Sequence, residues 1–200
     1  MLNIKTKISV LTDSGFALYR SAKSLYVMAR TCLETPPFDF FVPGFLLMQQ
    51  SIENFVKAIL KENNISWPRR WQGHDFNILI TLGANNNISI FKSIQERNDF
   101  ITLLKELGDG YNLQRYGESG HFLENHEKMM DLFDELVYLF IIEFFKLIEI
   151  RNKKNQDEKK WQEYREKEMS LPVPAYVEGI FNRKLKQPFI FCMLPGKIKS

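Results

Sequence analysis

Two segments of this 200-residue chain carry side chains that could bind or cleave a phosphate ester. In the first, five residues separate Arg115 from His121, and Tyr116 directly follows the arginine. An arginine can hold a phosphate through two parallel hydrogen bonds, and a histidine can move a proton near neutral pH. The alternative is that Arg115 pairs with a carboxylate of a neighbouring helix and His121 is a solvated loop residue.

The second segment is Trp67-Pro68-Arg69-Arg70-Trp71. Aromatic rings can stack on bases while arginines hold phosphates, so Arg69 and Arg70 are candidate substrate-binding residues, as is Tyr116. The alternative is that both tryptophans pack on the edge of a helical bundle and both arginines face water.

His74 and Asp75 follow this segment, and we predict structural roles for both. Asp75 is suited to cap the helix that begins after it, and His74 to anchor the turn through a hydrogen bond. The sequence has no glycine-rich phosphate loop and no zinc signature, so no cofactor is expected. His121 and His126 are five residues apart, whereas metal ligands on one helical face are three or four apart, so no metal site is expected.

Hydrophobic periodicity predicts an all-α fold, an up-and-down bundle of four or five helices. No proline occurs between Arg69 and Leu171, which favours uninterrupted helices in that span. The glycines at 108, 110, 117 and 120 predict a loop before the last helix. The predicted helices cover residues 14–33, 43 to a stop at Asn63-Asn64, 74–82, 89–107 and 123–151.

The apolar residues at helical spacing define the faces that we expect to be buried. In the second helix, Glu53 and Lys57 are expected to pair on the outer face. The predicted stripe of the first helix is Leu18, Ala22, Leu25, Ala29 and Cys32; that of the second is Phe45, Met48, Ile52, Phe55 and Ile59; that of the last is His126, Met130, Phe133, Val137, Phe140, Phe144 and Leu147.

Composition divides the chain into an extended segment (1–13), the bundle (14–151), and a charged helix extension with a proline-containing basic tail (152–200). The chain is 44% hydrophobic and 26% charged, which excludes a disordered protein. The net charge is +3, but residues 169–200 alone carry five basic and one acidic side chain. This balance is too small to demonstrate a nucleic-acid partner. Strand-like patterns at 4–11 and 189–194 predict that the termini pair as a small β-structure.

The most apolar stretch, Leu132 to Ile150, contains five charged residues, so we predict a buried core helix rather than a membrane span. The breadth of its apolar face indicates a second packing partner. Two distant cysteines and an N-terminus without a long apolar core lead us to expect a cytoplasmic protein without a signal peptide.

Over residues 14–150 the sequence resembles the HEPN superfamily of small helical-bundle proteins. The resemblance rests on the helix Phe45–Leu60 (FLLMQQSIENFVKAIL), on the helix start His74-Asp75-Phe76 with Leu79, and on Arg115-Tyr116. It implies a bundle that is usually a homodimer and is tied to nucleotide or RNA chemistry.

Many members of that superfamily are metal-independent ribonucleases of toxin–antitoxin or defence systems, with an Arg-x4–6-His motif that meets its copy across the dimer. By this resemblance, Arg115 would steady the phosphate and His121 would assist attack or leaving-group protonation. In the nucleases, however, the motif opens the last long helix. Here Tyr116 and two glycines intervene, as in members that accompany nucleotidyltransferases. The alternative is a non-catalytic bundle that binds a protein partner or dimerises through the wide apolar face of Leu132–Ile150. A nucleotidyltransferase or an antitoxin is a candidate partner of the protein.

Overall fold

The computed structural model describes residues 15–34, 41–115 and 126–155, and every regular element in these ranges is helical, which confirms the all-α prediction. The chain divides between Leu147 and Ile148 into two units, and the contacts described below belong to the first. The predicted terminal β-structure lies outside the described residues. The helices are α1 (Gly15–Glu34), α2 (Phe41–Glu62), a 3-10 helix (Arg70–His74), α3 (Phe76–Asn85), α4 (Ser89–Gln95), α5 (Asn98–Arg115) and α6 (His126–Asn155).

Helices α1 and α2 form a tight antiparallel pair because small residues recur every seven positions on both. The Ser51 hydroxyl donates a hydrogen bond of 2.9 Å to the carbonyl of Ala22. A Cβ on Gly15 would lie 2.5 Å from the Ala58 carbonyl, so glycine lets the backbones approach there. The small residues of this seam, all buried, are Gly15, Ala22 and Ala29 on α1 and Gly44, Ser51 and Ala58 on α2.

The predicted buried stripe is confirmed on α2 and only partly correct on α1. All five predicted residues of α2 are buried. On α1, Ala22 and Ala29 are buried, but Leu18, Leu25 and Cys32 are half-buried. Tyr19 and Tyr26 take the interior positions instead, because their rings meet the phenylalanines of α6.

Helix α6 packs on α1 through rings and one buried charged cluster. The rings of Tyr19 and Phe144 stack with centroids 4.4 Å apart. The Tyr26 hydroxyl donates a 2.8 Å hydrogen bond to Asp134, whose carboxylate also lies 3.4 Å from the guanidinium of Arg30. Buried charges of this kind are stable only when they are paired and hydrogen-bonded, so the cluster sets how α1 lies on α6.

The predicted seam of α6 is buried from Met130 to Phe144, as expected for a core helix. The side chain of His126 lies outside the described part, and Leu147 is half-buried. None of the helices in the described ranges is long and apolar enough to cross a membrane.

Two predicted helix ends are wrong for the same reason: both helices continue through the glycines that were expected to end them. The glycine-rich loop does not begin at Gly108, because α5 continues through Gly108 and Gly110 to Arg115. Likewise α3 passes through Gly83 to Asn85. The predicted stop at Asn63-Asn64 is confirmed, with Asn64 at a φ of 58°.

The predicted helix over 89–107 is in fact two helices, which meet at Glu96 and Arg97. The guanidinium of Arg97 donates hydrogen bonds to Asp99 at the start of α5 and to Glu135 of α6, at 2.8 and 2.9 Å. Its hydrogen bond lowers the pKa of Asp99 to about 2. The guanidinium of Arg97 also lies 4.0 Å from the centre of the Phe100 ring. These contacts position the start of α5 beside α6.

Alanine substitutions at the two helical glycines Gly83 and Gly108 should change the free energy of unfolding in opposite directions. A Cβ at Gly83 would collide with the buried ring of Phe91, whereas nothing lies within 4 Å of a Cβ at Gly108. We expect G83A to lower the free energy of unfolding by about 1–3 kcal/mol through overpacking. G108A should raise it by about 0.5–1 kcal/mol through helix propensity. Denaturant unfolding checks both, and a loss of stability in G108A would contradict the geometry.

Candidate functional site

The structure tests only some of the sequence-predicted site residues. Arg115 is the last residue of α5, but its side chain lies outside the described residues, as do Tyr116 and His121 entirely. Their proximity therefore stays a prediction. Arg69 and Arg70, in contrast, are described and exposed, on the turn between α2 and α3.

This turn is held to α2 by the carboxylate of Glu53, whose side chain is only 11% exposed. It accepts a 2.6 Å hydrogen bond from Lys57 Nζ and lies 2.9 and 3.0 Å from His74 Nδ1. An ionised carboxylate only accepts hydrogen bonds, so the proton lies on Nδ1. The predicted Glu53–Lys57 pair is confirmed, but its predicted place on the outer face is wrong, because both residues are buried beneath the turn.

The structural roles predicted for His74 and Asp75 are both confirmed. His74 anchors the turn to Glu53, as described above. Asp75 is the N-cap of α3, where its Oδ1 accepts a 3.2 Å hydrogen bond from the backbone N–H of Ile78. The side chain of His74 is nevertheless 60% exposed, so its other ring nitrogen is left for solvent or a ligand.

Two backbone features shape the turn between these anchors. Gly73 lies against the carbonyl of Pro68, where a Cβ would not fit. Arg70 has a φ of 62°, in the left-handed region. That conformation costs a residue with a side chain about 1–2 kcal/mol. Strain of this kind persists only where the surroundings hold the backbone in place.

A basic cleft of about 700 Å³ lies on one side of the turn. Among the residues that the structure describes, Lys61, Arg69 and Arg70 form no ion pair, and each lines this cleft. Lys57 also lines it, but Glu53 neutralises its charge. The rest of the lining is Asn64, Ile65, Ser66, Trp67, Pro68, Gly73 and His74.

A second cleft, of about 640 Å³, shares Arg70 and His74 with the basic cleft, and we call it the amide cleft after Gln49. Buried Gln49, Phe76 and Leu104 form its floor, while exposed side chains form its rim. This is the usual anatomy of a small-molecule site, an apolar floor with a few placed polar groups. The rim and sides are Arg70, Trp71, His74, Asp75, Asn77, Lys105, Gly108 and Asp109.

The two tryptophans of the predicted stacking segment differ. Trp67 is half-buried, and its ring lies 5.7 Å from Lys57 Nζ, within reach of a cation–π contact. Trp71 is 69% exposed on the rim of the amide cleft. The alternative in which both tryptophans pack on the bundle therefore holds for Trp67 and is wrong for Trp71.

Sequence reasoning missed Gln49 as a site residue and Glu53 as the anchor of the turn. The Glu53–Lys57 spacing identified a pair, but only the fold brings His74, 21 positions along the chain, onto the same carboxylate. For Gln49 the available signal was a polar residue inside an otherwise apolar stripe of α2.

Within the described ranges, no group of three or more metal-ligating side chains lies together. No protein-family model, curated protein or solved structure matches this chain.

The anchor predicts that E53Q is strongly destabilising. The substitution leaves Lys57 as an uncompensated buried charge, a loss of about 3 kcal/mol in the free energy of unfolding. It should also speed hydrogen exchange of the backbone amides at 65–75, because a neutral carboxamide oxygen accepts a weaker hydrogen bond from His74 than the carboxylate does. The matched control is E106Q, an exposed glutamate of α5. Equal effects of the two substitutions in denaturant unfolding would contradict the role of Glu53.

Proposed function

We propose that this protein is a HEPN-like bundle that binds single-stranded RNA or its nucleotides through the turn between α2 and α3. The observation that carries the proposal is the set of three cations, Lys61, Arg69 and Arg70, around a concave surface beside the exposed indole of Trp71.

The chemistry of this surface favours RNA over an acidic peptide. An arginine side chain can donate two parallel hydrogen bonds to two oxygens of a phosphate or of a carboxylate, so both ligand types would be attracted. An exposed tryptophan adds a surface on which an unpaired base can stack, worth about 1–3 kcal/mol per base. Single strands offer unstacked bases to such a ring, whereas duplexes do not.

Binding through these cations predicts a defined salt dependence. Each phosphate contact with a single strand contributes about −0.7 to the slope of log K against log salt concentration, so three contacts give about −2. We expect R69Q, R70Q and K61Q each to weaken binding of a fluorescent oligoribonucleotide and to reduce the slope by about 0.7. Fluorescence anisotropy at several salt concentrations measures both quantities.

The control is K92Q, which removes an exposed cation of α4, far in sequence from the turn and hydrogen-bonded to Asn87. It should leave the slope unchanged. Slopes that fall equally in K92Q and the turn variants, or an RNA affinity too weak to detect, would refute the proposal.

From the resemblance to the HEPN superfamily we further propose ribonuclease activity, with Arg115 and His121 as the catalytic residues. General acid–base catalysis contributes about 100- to 10,000-fold. We therefore expect R115A and H121A to reduce RNA cleavage in EDTA by at least about 100-fold. Cleavage that both variants retain, or no cleavage by the wild type, would contradict catalysis but leave RNA binding standing.

A second candidate function is that of a dimerising interaction module. It is supported by Leu132, Leu139 and Ile142, apolar side chains of α6 that are only half-buried among the described residues. Light scattering should then give twice the chain mass of 23.6 kDa. A monomer at high concentration would contradict both this module and the paired active site that the resemblance implies.

A further inference from the structure

We infer that His74, positioned by Glu53, is a general base that cleaves the RNA bound at the turn by removing the proton of a 2′-hydroxyl group. This inference rests on the proposed function, since the RNA held by the cations of the basic cleft is its substrate. It places a catalytic residue at the turn itself, separate from the Arg115 and His121 pair that the family resemblance implies.

The contact with Glu53 fixes the orientation and the tautomer of the His74 ring. Nδ1 of His74 lies 2.9 and 3.0 Å from the two carboxylate oxygens of Glu53, to which it donates its proton. In the neutral ring the other nitrogen, Nε2, then carries the free electron pair that a general base needs. A carboxylate orients the histidine base of serine proteases in the same way.

Lys57 limits what Glu53 contributes. Its Nζ donates a 2.6 Å hydrogen bond to the same carboxylate and neutralises its charge. The contribution of Glu53 is therefore the orientation of the ring rather than additional negative charge beside it.

The side chain of His74 is accessible to a substrate although one of its nitrogens is held in this contact. It is 60% exposed, and it lines both the basic cleft and the amide cleft. An anchor of the turn requires only one donor, which an amide side chain would supply equally well. The exposed second nitrogen is the part of His74 that a structural role leaves unused.

A cation that can hold the phosphate lies in the same 3-10 helix. Arg70 lines both clefts together with His74, and its backbone is held in the left-handed region at a φ of 62°. Unfavourable backbone conformations that the surroundings hold in place are concentrated at functional sites. The guanidinium of Arg70 can donate two hydrogen bonds to the phosphate and stabilise the charge that develops on it during the reaction.

The reaction balances with these groups and water. Nε2 takes the proton of the 2′-hydroxyl while the 2′ oxygen forms a bond to the adjacent phosphorus, and the bond from phosphorus to the 5′ oxygen breaks. The 5′ oxygen takes a proton from a water molecule, and the imidazolium returns its proton to the hydroxide that remains. The products are a 2′,3′-cyclic phosphate and a 5′-hydroxyl group.

The test measures binding and cleavage of a single-stranded oligoribonucleotide in EDTA by the wild type, H74N and H74A. The amide of asparagine can replace Nδ1 as the donor to Glu53, but it has no counterpart of Nε2. We expect H74N to keep the melting temperature and the affinity for the oligomer, and to reduce the cleavage rate by at least about 100-fold. This combination separates the base from the anchor.

Added imidazole provides a readout that a structural role would not change. H74A leaves space where the ring was, so imidazole should raise its cleavage rate by about tenfold, with oligomer and imidazole alone as the control. Comparison with H121A distinguishes the two histidines. Cleavage that persists in H121A but not in H74N would assign the reaction to His74.

Two kinds of result would overturn the inference, and they separate it from the proposed function. Unchanged cleavage in H74N, no effect of imidazole on H74A, or a wild type that binds the oligomer without cleaving it would remove the general base but leave RNA binding at the turn intact. An affinity of the wild type too weak to detect would remove both.

Discussion

The carboxylate of Glu53 is the contact on which the geometry of the site depends. It is buried on α2 and accepts hydrogen bonds from Lys57 below the turn and from His74 at its end. A buried carboxylate must be paired, so this contact joins a stretch of eleven residues, 65–75, to the most buried helix of the bundle. Both clefts have the 3-10 helix of this stretch as a wall, and neither would keep its shape if that helix moved.

The rest of the bundle holds α2 in place around that contact. It also stays folded despite two energetically unfavourable features beside the site. The close α1–α2 seam and the ring contacts of α6 build a core in which α2 is fixed. On the site side, Arg70 is held in an unfavourable backbone region and Gln49 lacks a buried hydrogen-bond partner. Each feature costs about 1–3 kcal/mol, and both line the amide cleft. Energetically unfavourable features that occur together at one cleft are typical of a surface adapted to binding rather than to stability.

The sequence correctly predicted the features of the fold that depend on local residue patterns. The apolar stripe of α2, the stop at Asn64 and the cap at Asp75 all follow from spacing and residue type, and the structure confirms them. The glycine loop at Gly108 was wrong because burial of Leu103, Leu104 and Leu107 on one face of α5 outweighs the helix cost of glycine.

The site was harder to predict because its parts meet only in three dimensions. The outer-face position of Glu53 was wrong because spacing cannot show that the turn after α2 folds back over that face. Gln49 could not be assigned, since an unpaired amide is visible only once its neighbours are known. The pairing of Arg115 with His121 still rests on spacing and on a family resemblance.

We propose that RNA binds at the turn anchored on Glu53. Ultraviolet cross-linking of the full chain to a short single-stranded RNA, followed by mass spectrometry of the cross-linked peptides, tests it most directly. We expect cross-links within residues 65–75, above all at Trp71, and their loss in E53Q under conditions where that variant stays folded. Cross-links confined to the basic tail at 169–200, or unchanged in E53Q, would contradict it.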